Sequence, residues 1–482
     1  MTWFSNLTNW LWGPPLLIAI ILCGIVFLIR NRGFQFSHLF LILKAPFKKD
    51  PEIVEDEKSL SPLQAVSIAI GQTVGVANIS GVSTAIAVGG PGALFWLWFA
   101  SLLGMGIKMA EVSLACYYRK SKEDGTYTGG PTYYMKYGLG KERNFKFWKV
   151  LSVPFGLGIF TTAILNIQNY TVAEAVGSTF GINYIIPGAV MCVLAIIMLV
   201  GGLKKVGKLA SYLVPFMCVF YVACVIIVLV MNFENIPEAF SLIFKGAFSG
   251  TAAVGGFAGA TVMMALQKGF QRSVYSNEAG WGTSPMIHAT ANTNHPIKEG
   301  IYGAFEVFID SIVVCTATGL VVIVSGQWNS GIMGAELTLI SLETTVGHFA
   351  RVIMAFSVFL FGLTTVTGLC TYYRCLLDHA IPGENIFKEK ILFVLGTLLC
   401  PIAGFITTVI TVIYGGTPAS IWVIADFTSA IPTFINVVTI LILSKKFGQL
   451  LKDYKARYLG IGKVDPNFSV FYEDKLKKSE KL

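Results

Sequence analysis

The chain has 482 residues, 54% of them hydrophobic and only 13% charged, with a mean hydropathy of +0.67. Soluble domains carry about one charged residue in four, so a surface this poor in charge has to face lipid. A soluble enzyme, a disordered scaffold and a secreted disulfide-built domain are excluded, and the net charge of +9 gathers in no nucleic-acid-binding arm.

Taken in chain order, apolar stretches of the roughly 20 residues needed to cross a bilayer predict eleven spans. They fall at 11–29, 63–88, 92–118, 150–177, 184–202, 209–231, 248–270, 299–326, 349–374, 390–412 and 418–443. The connections 30–62, 119–149, 203–208, 271–298 and 375–389 and the tail 444–482 hold nearly every Lys and Arg outside the spans. The opposite loops hold one, Lys245. Basic residues stay on the cytoplasmic side, so the sequence predicts a multi-pass plasma-membrane protein with its N-terminus outside and its C-terminus inside. The opening MTWFSNLTNW has no basic stretch, which predicts a retained first span and no cleaved leader. The basic tail is expected to be solvated or to face lipid head groups. The nine cysteines lie in or beside spans with no C-x-x-C pair and read as packing residues.

Two spans are interrupted. The second contains Gly71-Gln72-Thr73-Val74-Gly75-Val76-Ala77-Asn78-Ile79-Ser80-Gly81, and the seventh contains Val254-Gly255-Gly256-Phe257-Ala258-Gly259-Ala260-Thr261. Glycine weakens a helix by about 1 kcal/mol and frees its backbone. Unwound backbone is tolerated in a membrane only where protein or a watery cavity satisfies it. Spans two to six (63–231) and seven to eleven (248–443) form two sets of five, each opening on an interrupted span. Residues 1–62 supply one extra helix and a linker, and 444–482 the tail. Five is odd, so the sets run oppositely through the bilayer. The expected fold is all-α, a five-plus-five inverted repeat whose paired broken helices build a midplane transport site.

Such breaks expose N–H groups suited to a carboxylate and C=O groups suited to a small cation. A zwitterionic amino acid with Na⁺ fits without a charged side chain, and Gln72, Thr73, Asn78 and Ser80 supply neutral oxygen ligands. Thr364, Thr365 and Thr367 in span nine add hydroxyls, though such threonines often bond their own helix. Asn166, Gln168 and Asn169 in span four form a polar girdle. Asp310, in span eight, is a candidate coupling carboxylate, as intramembrane charges are by default functional candidates. Glu306 lies nearer the cytoplasmic end, Asp426 lies in span eleven, and Lys108 with Glu111 reads as a local pair. The turn-rich stretch 276–285 reads as a gate or coupling hinge, or as an ordinary capped loop. With no catalytic triad, phosphate loop or H-E-x-x-H, the chain is not expected to be an enzyme or to carry an organic cofactor.

The segments Ala77-Asn78-Ile79, GGPGALFW at 89–96, GGPTYYM at 129–135, SNEAGWGTSP at 276–285, HP at 295–296 and FEVFIDSIVVCTATGL at 305–320 resemble the alanine/glycine:cation (sodium:alanine) symporter family. The resemblance runs from about Gln64 to about Ser444. It implies a LeuT-type fold and Na⁺-driven uptake of a small neutral amino acid, chiefly alanine or glycine, with glutamine carried by some members. It also implies that Gln72, Thr73, Gly75, Ala77 and Asn78 wrap the substrate, that Gly255, Gly256, Phe257 and Gly259 meet it from the second repeat, and that Gln168, Thr365 and Leu369 line the pocket. The cation would take the Gly71 and Val74 carbonyls with Thr364, Thr365 and Asn78. Two departures touch this pocket. Val76-Ala77 replaces the family's usual Thr-Gly, and Leu369 stands where an aromatic is usual. The resemblance implies no nucleic-acid partner, only solute and bilayer, and sets no oligomeric state.

Overall fold

The computed structural model describes residues 2–48, 59–249, 261–381, 386–416 and 418–480. The architecture is helical apart from one short hairpin in which Lys120 and Ser121 pair antiparallel with Thr128 and Tyr127. In chain order the helices are α1 (Trp3–Asn31), α2 (Pro62–Thr73), α3 (Ala77–Gly89), α4 (Gly92–Tyr117), α5 (Lys149–Ile164), α6 (Gln168–Phe180), α7 (Ile185–Val200), α8 (Gly202–Met231) and α9 (Ile236–Ser249). There follow α10 (Val262–Asn277), α11 (Pro285–His288), α12 (Pro296–Val324), α13 (Gly334–Val346), α14 (His348–Ala380), α15 (Ile386–Ile413), α16 (Pro418–Leu459) and α17 (Tyr472–Glu480).

Among the described residues, eight helices are long and apolar enough to cross a membrane when α5 and α6 are taken together (Lys149–Phe180), or nine when α2 and α3, bent by 40° at their junction, also count as one span. The apolar α7 is shorter. Ten of the eleven expected spans have a counterpart among the described residues, these nine and α7, and the seventh, at 248–270, runs through residues that are not described. The central bundle sets α4 against α10 and α12, with α2 and α3 in contact with α10, α12 and α14. Leu, Ile and Val face outward along α7 and α8, as helices bathed in lipid require.

The first break is built locally. Ser61 caps α2: its hydroxyl accepts the Gln64 N–H at 3.2 Å, while Gln64 Oε1 accepts the Ser61 N–H at 3.1 Å, and Pro62 occupies the first helical position. The helix stops at Val74, whose backbone is extended (φ −76°, ψ 91°). A Cβ on Gly75 would fall 2.0 Å from Thr365 Oγ1, so α2 and α14 meet this closely only over a glycine.

A second break that the structure describes lies in the stretch the sequence presents as a cytoplasmic connection. Residues 255–259 fall outside the described residues. Where the sequence predicts the end of a span at 270 and a cytoplasmic connection at 271–298, helix α10 runs on to Asn277. The chain then leaves helical geometry through Glu278 (φ 55°), Gly280 and Gly282 (both φ 87°) before α11. Every residue from 269 to 291 is buried. The stretch 276–285, read as a hinge or capped loop, is thus an interior segment. Its misplacement has a physical cause: α10 is covered by protein, so its polar face (Gln267, Lys268, Gln271, Arg272) needs no lipid compatibility and escapes a hydropathy window. Two connections expected as loops, 232–247 and 327–348, contain α9 and α13. The tail is also more ordered than expected. α16 continues to Leu459, and α17 folds back so that Glu473 accepts from the Ser121 N–H (3.0 Å) and hydroxyl (2.6 Å), with Lys475 Nζ 2.6 Å from Glu142.

Candidate solute site at two helix breaks

A cavity of about 10 Å³, room for a single water, lies between the two breaks. It is lined by Gln72, Thr73, Gly75 and Ala77 from the first break, Tyr275, Glu278 and Trp281 from the second, Thr162 and Gln168 from α5 and α6, and Thr365 and Leu369 from α14. The structure thus brings together seven residues named from the sequence: Gln72, Thr73, Gly75, Ala77, Gln168, Thr365 and Leu369. Ligand pockets usually occupy roughly 300 Å³ or more, so this conformation is contracted around the site. Gln72 Oε1, Gln168 Oε1 and Trp281 Nε1 are buried with no hydrogen-bond partner. Buried polar atoms left unpaired cost about 1–3 kcal/mol each, and three of them on one cavity mark it as a place where a polar ligand belongs.

The remaining expected residues are distributed around this cavity. Asn78 does not line it. Its Oδ1 accepts the Gly75 N–H at 2.7 Å, and its Nδ2 donates to Asp310 Oδ1 at 2.6 Å and to the Asp310 carbonyl at 3.1 Å. In an unbroken helix the Gly75 N–H would close onto the Gly71 carbonyl. Asn78 diverts it, and the Gly71 oxygen faces Thr365 Oγ1 at 3.5 Å. That hydroxyl also donates to the Phe361 carbonyl at 2.8 Å. Thr364 Oγ1 bonds its own helix at Phe361 (3.0 Å) and Leu360 (3.2 Å), its methine carbon 3.5 Å from a Cβ position on Gly71. Val74 gives its N–H to the Ile70 carbonyl at 2.7 Å. Gly71, Val74, Thr364 and Thr365 therefore surround one helix end rich in oxygen.

Asp310, fully buried, joins the two breaks. Its Oδ1 accepts from Asn78 and from Ser276 Oγ (2.9 Å), and its Oδ2 from Ser311 Oγ (2.7 Å). Of the polar girdle only Gln168 faces the cavity. Asn166 donates to the Ala163 and Cys400 carbonyls (both 3.1 Å), and Asn169 binds the Gly188 carbonyl (2.9 Å) and the Thr408 hydroxyl (2.7 Å). On one side of the cavity Arg272 pairs with Asp426 and stacks 4.2 Å over Trp422. On the other side the Lys108–Glu111 pair expected from the sequence extends into a buried network. Lys108 Nζ donates to Ser284 Oγ (2.6 Å) and lies 3.2 Å from Glu306, while His288 bridges Glu306 (3.3 Å) and Glu299 (2.9 Å). Among the described residues no cluster of three His, Cys, Asp or Glu is arranged to hold a metal ion.

Sequence reasoning missed Thr162, Tyr275, Glu278 and Trp281. Thr162 carries no signal of its own. The other three belong to SNEAGWGTSP and its preceding tyrosine, where paired glycines among polar residues repeat the composition of 71–81.

The profile described as the sodium:alanine symporter family matches residues 1–468. The sodium/alanine symporter AgcS of Methanococcus maripaludis is 33% identical over 462 residues, 94% of this chain and 96% of that protein. The probable sodium/glutamine symporter GlnT of Bacillus subtilis is 33% identical over 471 residues, 97% and 92% of the two chains. The crystal structure of MhsT in complex with L-phenylalanine aligns with a TM-score of 0.51 at 15% identity, covering 81% of this chain and 99% of that one, which shows a shared LeuT-type fold. The chain belongs to the sodium:alanine symporter family and is a membrane-embedded amino-acid transporter, not an enzyme.

Proposed function

We propose that the protein imports a small neutral amino acid of the alanine/glycine class together with Na⁺ across the plasma membrane by alternating access. The observation that carries this reading is the cavity between two helix breaks, lined from both sides of the fold and bordered by the Gly71 carbonyl and Thr365 hydroxyl. In this reading Gly71, Val74, Thr364 and Thr365 hold Na⁺, neutral oxygen ligands being what a hard cation takes. Asn78 and Asp310 fix the backbone that presents them. Gln72, Thr73, Gly75, Ala77, Gln168, Thr365 and Leu369 contact the substrate, and Gly255, Gly256, Phe257 and Gly259, outside the described residues, are assigned to it as well. Cation binding stabilises the substrate-competent state, since a ligand shifts a conformational equilibrium only by its differential affinity. Residues 63–231 and 248–443 act as the two repeats that rock past each other, with the N-terminus outside and the tail inside.

An alanine symporter and a probable glutamine symporter are equally identical to this chain, so the test is a panel. Proteoliposomes loaded without Na⁺ are given labelled alanine, glycine or glutamine under an inward Na⁺ gradient, an inward proton gradient, or neither. Saturable, Na⁺-gradient-driven accumulation of alanine or glycine is expected. Accumulation driven by protons alone, or of glutamine alone, would replace the coupling ion or the substrate in this reading.

A further inference from the structure

Glu278 stands apart from every other described residue on the cavity wall because it alone carries a formal charge; among the described residues no Lys, Arg or His lines the cavity. Its side chain is 1% exposed and projects from a left-handed backbone position (φ 55°) that ends α10 and aims it inward. Thr283 Oγ1 donates to one carboxylate oxygen at 2.5 Å, and the Gln72 side chain is hydrogen-bonded to the carboxylate as well. Lys108, the cation that acts on Glu278 from off the cavity, is already shared among Glu306 (3.2 Å), Glu111 (3.8 Å) and Ser284 (2.6 Å). With their amide nitrogens turned to Glu278 and to Tyr275, Gln72 and Gln168 leave Oε1 atoms that are buried and unpaired. The described wall thus offers two unpaired acceptor oxygens beside the Glu278 carboxylate, and a single unpaired donor, Trp281 Nε1.

We infer that Glu278 is a specificity-determining residue that receives the ammonium of the transported amino acid, with the Gln72 and Gln168 carbonyl oxygens completing its coordination. An ammonium has three N–H donors and no acceptor, which matches this set in number and charge. A buried carboxylate without a cation is unfavourable, so the pairing also selects against solutes that lack a positive group. The solute carboxylate then lies toward Trp281 Nε1 and the Gly71–Thr365 end, where the cation sits. This inference rests on the cavity being the amino-acid site.

The test compares ligands that differ only at the ammonium. Binding of L-alanine, glycine and L-glutamine, each beside its 2-hydroxy analogue (L-lactate, glycolate and 2-hydroxyglutaramate), is measured at fixed Na⁺ on the full-length protein and on Glu278→Gln. The variant's melting temperature and elution volume are checked first. Wild type is expected to prefer the amino acid, and Glu278→Gln to lose ~10–100-fold on the amino acid and little on the analogue, the range of a hydrogen bond to a charged group. The Na⁺ concentration for half-maximal binding should stay within about twofold, since no Na⁺ ligand has been removed. Glu278→Asp, which keeps the charge, should retain the preference and serves if the Gln variant does not fold. An unchanged preference ratio, an equal loss on both ligands, or a shifted Na⁺ curve at unchanged ratio would each overturn the assignment. Wild type that binds none of the six ligands would instead overturn the transport reading beneath it.

Discussion

At the scale of single residues, the structure separates groups that touch solute from groups that hold the break open. Asn78 belongs to the second kind: its amide closes the turn at Gly75 and ties the break to Asp310. Asn78→Ala leaves a buried N–H and a buried carboxylate oxygen short of partners, at about 1–3 kcal/mol each. It should lower the melting temperature as well as abolish Na⁺-dependent uptake; wild-type stability with wild-type uptake would remove Asn78 from this role. Thr365→Val keeps the shape but takes away the oxygen facing Gly71. It should raise the Na⁺ concentration for half-maximal uptake by roughly tenfold, the effect of losing one charged-group hydrogen bond, and an unshifted Na⁺ curve would contradict the assignment. These residues were legible because polar side chains between glycines in an apolar stretch are costly at membrane depth unless a cavity or a ligand takes them up. What was not legible is which way each points. Asn78 and Gln168 look alike in the sequence, yet one is fully bonded to its neighbours and the other is left with a free oxygen on the cavity.

At the scale of elements, the first break was readable, and the other break that the structure describes looked like a loop. The span formed by α2 and α3 is apolar and punctuated by Gly71, Gly75 and Gly81, so hydropathy and glycine spacing agree. Helix α10 is polar enough along one face to look like a water-exposed connection, so the break that ends it at Glu278 reads as part of a cytoplasmic loop. Burial by neighbouring helices, invisible to a window of local composition, decides the matter. The connection after the second break ends in a pH-sensitive cap. His295 Nδ1 accepts the Ile297 N–H at 3.1 Å at the start of α12. Burial holds its imidazole down at about 4, despite the Asp453 carboxylate at 3.3 Å, with Lys298 and Arg457 lowering it further. Neutral in the folded chain and protonated below about 6.5 once unfolded, His295 contributes stability that is present above about pH 6.5 and lost as pH falls toward 4. His295→Asn supplies a cap that does not titrate. It should therefore lose less melting temperature between pH 7.5 and 5 than wild type does, and an equal loss in both would show that His295 is not the sensor.

For the whole molecule, the class was written in composition: 13% charge over 482 residues leaves no alternative to lipid. Distribution of Lys and Arg predicts the orientation, N-terminus outside and tail inside. A protease-sensitive tag after Leu482 should survive protease added to intact cells and be cut in inverted vesicles; cleavage in intact cells would reverse the topology. The tail's folding against Ser121 and Glu142 was not legible, because a run of lysines reads as solvated until its carboxylate partners are placed beside it. Fold and site come together in one claim, that two interrupted helices meet around a cavity able to take a solute and a cation at once. Calorimetric titration of the purified protein with alanine, glycine and glutamine, with and without Na⁺, tests it most directly. The account predicts binding of at least one of them that tightens tenfold or more with Na⁺, about 1.4 kcal/mol of coupling or more. An affinity indifferent to Na⁺ would contradict it.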